Sequence, residues 1–352
     1  MTEDRARDIV IRHGWNSTSY QLLNQGFEHW YPAAGDALVG YVETGRTRVV
    51  GGAPVCAPER LEAVAREFEI EAASAGARVC WLGAGARLAT ELRDSAHGHA
   101  RVGAQPWWRP AGWDAIVAER ASLRAQLNRA RNKRVRVDEW DTARAAASPM
   151  LARCLEAWLA HQSLPPLHFL VEPDLLGDLV DRRIFVADRD GTAVGYLVLS
   201  PIPAREGWLV EQIVRAPDAP NGTTELLVDA AMRAAAADRA GYFTLGVAPL
   251  SSRAGAADGG LWLRLALGWA RAHGRRFYNF GGLEAFKAKF RPDGWEAAWL
   301  VTNEPAVRPH HLWAIAAAYA GGSPVRTLAR ALGRAAREER RRAWSSLTAS
   351  GA

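Results

Sequence analysis

Lysine is the scarcest charged residue in this sequence. Of its 44 basic residues 41 are arginine, and only Lys133, Lys287 and Lys289 are lysine. Cysteine is equally rare. Cys56, Cys80 and Cys154 are odd in number, far apart and in no CxxC pattern. That excludes a disulfide framework and a cysteine-based zinc site, and it points to a reducing, cytoplasmic compartment. No apolar run approaches the ~18 residues of a membrane-spanning helix. The opening stretch MTEDRARDIVIRHG carries acids and no apolar core, so it is not read as a signal peptide. Histidines occur at His97, His99 and in the pair His310–His311, without a cysteine or carboxylate at ligand spacing, and neither metal nor cofactor is expected.

What is present is an ordinary globular composition. The 352 residues are 49% hydrophobic and 23% charged, and at about 150 residues per domain this predicts two domains. The net charge of +6 is unevenly placed. Residues 120–137 hold seven basic groups and no acid, and residues 326–342 hold seven arginines against Glu338 and Glu339. A mildly acidic body therefore carries two basic elements, which attract phosphate on nucleic acid or on anionic lipid.

Periodicity predicts two runs of alternating strands and helices. In the first, strands at 36–43 and 46–52 precede a helix over 58–75 and a strand at 79–83. Gly83-Ala84-Gly85 lacks a third spaced glycine and reads as a turn. Residues 101–113 are extended and broken by Pro106 and Pro110. A basic connecting helix spans 119–140. In the second run, a hairpin over 183–202 turns at Asp190–Gly191. A strand at 207–217, a helix from Thr223, a strand from Tyr242, an amphipathic helix over 261–273, a short helix over 283–290 and a strand at 295–302 follow. The expected fold class is α+β.

Two of the three lysines stand together in FKAKF (286–290). Lysine is a compact charge whose pKa can be lowered, and arginine offers neither property. On a helix over 283–290, Leu283, Phe286 and Phe290 form one apolar face. Lys287 lies about 70° from its centre and Lys289 about 90° on the other side. Glu284 stands one turn before Lys287 and can pair with it. Asn221, Gly222 and Thr223 open a helix, where they either cap it or offer free N–H groups to an anion. Ser251 and Ser252 follow a strand without GxSxG around them, so no nucleophile elbow is expected.

The segments VRAPDAPNGTTELL, LGVAPLSS and FYNFGGLEAFKAKFRPDGWEAAWLV, in that order, with SLRAQLNRARNKRVRV upstream, closely resemble the catalytic domain of the phosphatidylglycerol lysyltransferase (multiple peptide resistance factor) family, in its soluble stand-alone branch. The resemblance implies two tandem GNAT-like (N-acetyltransferase-like) domains joined by the basic helix: 1–118, a connector at 119–140, 141–305, and a basic helical tail at 306–352. It implies aminoacyl transfer from aminoacyl-tRNA to a hydroxyl of a phosphatidylglycerol-like lipid or other small acceptor.

Such a transfer needs a carboxylate for the substrate ammonium, stabilisation of an oxyanion, proton handling and cations along the tRNA. By resemblance, Lys287, Glu211 and Glu284 are the catalytic set, with Glu211 holding the ammonium and Lys287 the developing charge. Arg215, Asp218, Asn221, Gly222, Thr223, Ser251, Ser252, Tyr278 and Asn279 bind substrate. Arg124, Arg129, Arg131, Lys133, Arg134, Lys289 and Arg291 meet the tRNA. The family's arginine three residues after the acid is replaced by Val214, with Arg215 shifted by one, which on a strand turns the side chain to the opposite face. The basic tail is expected on the anionic inner face of the membrane. Two other readings remain: an acyl-CoA-dependent N-acyltransferase, and a non-catalytic tRNA- or lipid-binding protein.

Overall fold

The structure, a computed structural model, describes residues 2–94, 96–162, 165–255, 260, 262–263, 265, 268 and 279–327. Tyr278, most of the expected 261–273 helix and the basic tail beyond Thr327 lie outside the described residues.

The α+β class is the one observed. The first half runs α1 (Thr2–His13), β1 (Glu28–Trp30), β2 (Val39–Thr44), β3 (Thr47–Gly51), α2 (Leu61–Ser74), β4 (Arg78–Ala84), α3 (Ala86–Glu91) and β5 (Gly98–Trp108). A bridge follows, of α4 (Trp113–Glu119), α5 (Ala121–Asn132), β6 (Val135–Trp140), α6 (Thr142–Ala146) and α7 (Pro149–Ala160). The second half runs β7 (Arg183–Arg189), β8 (Thr192–Ile202), β9 (Gly207–Arg215), α8 (Thr223–Ala237), β10 (Tyr242–Thr244), β11 (Ala248–Pro249), α9 (Phe280–Ala288) and β12 (Gly294–Thr302), followed by α10 (Pro309–Ala320).

The halves repeat one motif. An antiparallel pair feeds a crossover helix that returns to a parallel neighbour: β2 and β3 through α2 to β4, and β8 and β9 through α8 to β10. Both halves share one sheet, in the order β1-β2-β3-β4-β12-β5-β10-β9-β8-β7-β6. The closing strands are exchanged. β5 of the first half lies beside β10 of the second, and β12 of the second lies between β4 and β5. The unit expected at 141–305 thus sends its last strand into the sheet of its neighbour.

The core follows this layout. Phe68 of α2 packs against Trp81 of β4, with Leu88 of α3 and Trp299 of β12 in the same cluster. A larger cluster joins α5, α7 and α8 to the second half around Tyr196, Phe243 and Phe290. A third cluster, holding Cys80, Leu300, Val307 and Ala314, puts α10 on the first half.

Two local expectations are corrected. The connecting helix does not reach residue 140. It stops at Asn132, Arg134 takes a left-handed φ of 63°, and residues 135–140 pair with β7. The alternation of Val135 and Val137 with exposed Arg136 and Asp138 explains the strand. Pro106 does not end β5 either. On the side of β10 and β11, β5 is paired at 103–104 and 107–108 but not between, so the missing N–H breaks no ladder there.

Candidate functional site

That gap in pairing is one wall of the candidate site. β9 meets β10 only over Gly207–Leu209, opposite Tyr242–Thr244. The chain then leaves the sheet at Leu245–Val247 and returns as β11 on β5. Gly246, at φ 73°, makes this departure feasible. Among the described residues, β9 beyond Leu209 is left without a strand partner on this side.

α9 closes the notch with Lys287. Its Nζ donates to the carbonyl oxygens of Gly246 and Val247, each at 2.8 Å. The residue is 5% exposed. Burial alone pulls its ammonium down from the ordinary lysine range to about 7. An ammonium has three donors and a neutral amine two, so the two carbonyls leave Nζ with either a spare proton or a free lone pair. Lys289, two residues on, is 34% exposed at its side chain, pairs with Glu225 at 2.5 Å and lies 4.0 Å from the Phe286 ring centroid. The two lysines thus have separate environments. Glu284 binds Arg253 at 3.1 Å rather than Lys287.

Glu211 is the residue expected at the substrate ammonium. Its side chain is 2% exposed and faces Arg182 at 3.1 Å, whose own side chain is fully buried. Oε2 accepts from Arg182 and from the Ser200 hydroxyl, and Oε1 from Asn24 at 2.8 Å and Gln21 at 3.4 Å. Four donors fill the four lone-pair positions of a carboxylate. In this arrangement all four positions are filled from within the protein, and Glu211 clamps β9 to the first half. Arg182, Ser200, Asn24 and Gln21 were missed in the sequence, because nothing in their spacing marks them as neighbours.

The neighbouring expectations divide similarly. Val214 is wholly in the core, and Arg215 donates to the Ala219 carbonyl at 2.5 Å, bracing the turn that contains exposed Asp218. Gly222 and Thr223 are buried under α5, and the Thr223 hydroxyl donates to Pro220 at 2.7 Å. With Glu225 in its first turn, the covered start of α8 does not offer an anion seat; Asn221 stays exposed beside it. Ser251 is buried beside the departure loop and Ser252 is exposed. Asn279 caps α9 by accepting from Gly282 at 2.9 Å.

Of the cations expected on tRNA, several are already engaged. Arg124 donates to the Val117 and Ala118 carbonyls at the end of α4. Arg131 pairs with buried Asp229 and Arg134 with Asp190, each at 3.0 Å, and Arg291 pairs with Glu119. Among the described residues Arg129 reaches the Gln126 amide oxygen and no acid, and Lys133 is exposed without an acidic partner. Exposed Arg120 and Arg136 lie on the same stretch.

One group of three donors converges elsewhere: Glu304, His310 and His311. It does not fit an ion. His311 Nδ1 accepts the Arg308 N–H at 3.0 Å, which leaves the proton of the neutral ring on Nε2, where a metal would need a lone pair. Arg78, 2.9 Å from Glu304, already supplies the positive charge.

Among the described residues no helix is long and apolar enough to cross a membrane. The chain resembles several known proteins over most of its length. It is 24% identical over 336 residues to an uncharacterized protein of Corynebacterium glutamicum, covering 92% of this chain and 42% of that one. The chain thus spans less than half the length of that curated relative. It shares its fold with the C-terminal domain of a putative lysylphosphatidylglycerol synthetase from Agrobacterium fabrum, at a TM-score of 0.77 and 23% identity, covering 91% of this chain and 97% of the other. The structure of L-PGS from Bacillus licheniformis matches at a TM-score of 0.72 and 20% identity, covering 90% and 95%. Residues 7–302 match the model of the phosphatidylglycerol lysyltransferase C-terminal family, and the chain belongs to that family.

Proposed function

We propose that this protein moves an amino acid from aminoacyl-tRNA to the hydroxyl of a phosphatidylglycerol-like lipid. The observation that carries the reading is Lys287, an amine buried at a break in the sheet and poised near neutrality between two carbonyl oxygens. Membership of the family supports the class of reaction.

The chemistry follows from the state of Nζ. In its neutral form the amine accepts the proton of the attacking hydroxyl as the new C–O bond forms at the ester carbonyl. As an ammonium it stabilises the tetrahedral oxyanion, and it then returns the proton to the departing ribose oxygen. No proton is gained or lost overall. The exposed cations Arg120, Arg129, Lys133 and Arg136 are assigned to the tRNA backbone, and the arginine-rich tail to an anionic membrane surface. An acyl-CoA reaction is less well supported, because the start of α8 is covered by α5 and carries Glu225.

The test is a transfer assay with the full chain, total tRNA charged with labelled amino acids, and a total lipid extract. Label is expected in the lipid phase, and Lys287→Ala is expected to lower its rate at least 100-fold, the order of a lost general acid–base. Full activity of that variant, or dependence on acetyl-CoA instead of charged tRNA, refutes the proposal.

A further inference from the structure

We infer that the outer face of α10, with the chain packed beside it, seats on an anionic lipid bilayer. The inference deepens the reading above, whose acceptor is a membrane lipid, and it rests on a different part of the molecule from the Lys287 notch.

The observation is a concentration of exposed apolar side chains around one cluster. α10 carries no Asp, Glu, Lys or Arg from Pro309 to Ala320. Its inner residues Ala314 and Ala318 are buried in the cluster that also holds Leu263 and Phe169. Its outer side presents Trp313, 55% exposed, and Ala316. Trp262 and Leu265 flank Leu263 and are exposed, as is Val171 beside Phe169, which meets Tyr319 edge-on at 5.4 Å. Val325, just past the end of α10, is exposed too. Single exposed apolar residues are normal on any surface. Four large ones on the segments that build one cluster, with Val325 next along the chain, mark a contact face.

Charge identifies the occupant. From this face the sequence continues directly into residues 326–342, with seven arginines against two glutamates. A tryptophan-bearing apolar helix face whose sequence continues into a dense arginine run matches the two layers of an anionic bilayer, apolar beneath phosphate. A second copy of the chain carries the same positive excess, +6 overall, and offers the arginines no opposite charge.

The test uses the full chain and vesicles of phosphatidylglycerol and phosphatidylcholine, against vesicles of phosphatidylcholine alone. Binding is expected on the mixed vesicles and is weakened by salt. Trp313→Ser combined with Leu265→Ser is expected to lower partitioning roughly tenfold or more, about 1.4 kcal/mol or more. The melting temperature and the transfer rate to an acceptor dispersed in detergent are expected to stay unchanged. Undiminished vesicle binding of the double variant overturns the inference, and so does a Trp313-dependent dimer that ignores vesicles. Trp313-dependent vesicle binding without transfer in any assay refutes the proposed reaction and leaves the docking face standing. Transfer in detergent without vesicle binding does the reverse.

Discussion

Lys287 is a liability for stability as well as the centre of the candidate site. In the unfolded chain its amine stays protonated up to the ordinary lysine range near 10.5, whereas in the fold burial brings it to about 7. Between these values the folded state binds fewer protons than the unfolded one. Stability therefore falls as pH drops from about 10.5 to 7, and the deficit is complete below 7. Lys287→Met keeps the volume and removes the charge. It is expected to be more stable than the natural protein by roughly 1–3 kcal/mol at pH 7, with the advantage shrinking towards pH 10, and to have lost transfer. Chemical denaturation at both pH values checks this; a methionine variant that is weaker at pH 7 would show that the two carbonyl bonds outweigh desolvation. Arginine bias singled out the lysine pair, but helical angle put both lysines at the flanks of the apolar face, and the choice of Lys287 came from the family resemblance. The fate of Glu211 was not legible, because the Asn24 amide that fills it comes from 187 residues away.

At the scale of elements, α8 was readable from its 3.6-residue period, and the 183–202 hairpin from two apolar runs around the Asp190–Gly191 turn, since its strands are buried on both faces. The failures have local causes. Basic Lys133, Arg134 and Arg136 continued the charge of α5, which masked the alternation of Val135 and Val137 in β6. Pro106 read as a breaker because the gap beside it depends on β10 and β11, over 130 residues later in the chain. The close packing of α5 on α8 was likewise invisible, and Gly222 is its hinge point. Its φ is 96°, and a Cβ there would collide with the Gln126 carbonyl oxygen. Gly222→Ala is expected to cost roughly 2–3 kcal/mol, combining backbone strain with the clash. Gly45, at φ 63° with no atom near a Cβ, is the control. Gly45→Ala should cost about 1 kcal/mol, for backbone strain alone. Equal midpoints for the two variants in urea would remove the argument that α5 closes the start of α8.

At the scale of the whole molecule, the repeat of an antiparallel pair and a parallel crossover was legible as two α+β runs, but the exchange of closing strands was not. Periodicity shows that a segment is a strand and is silent about which strand lies beside it. The exchange has a thermodynamic consequence. β12 lies between β4 and β5, and β10 is bonded to β5, so a chain beginning at residue 141 keeps β7–β9 and α8 yet lacks both partners of β12 and one partner of β10. It also loses the Asn24 and Gln21 bonds to Glu211 and the α5 surface against α8. Buried backbone groups without partners and a bared core cluster cost more than the few kcal/mol by which a domain is stable. Residues 141–352 expressed alone are therefore expected to show no cooperative unfolding transition, and residues 1–140 likewise, whereas the two fragments mixed after joint refolding should recover one transition. Differential scanning calorimetry distinguishes the cases, and a sharp independent transition in the 141–352 fragment would show that the two halves are separate domains after all.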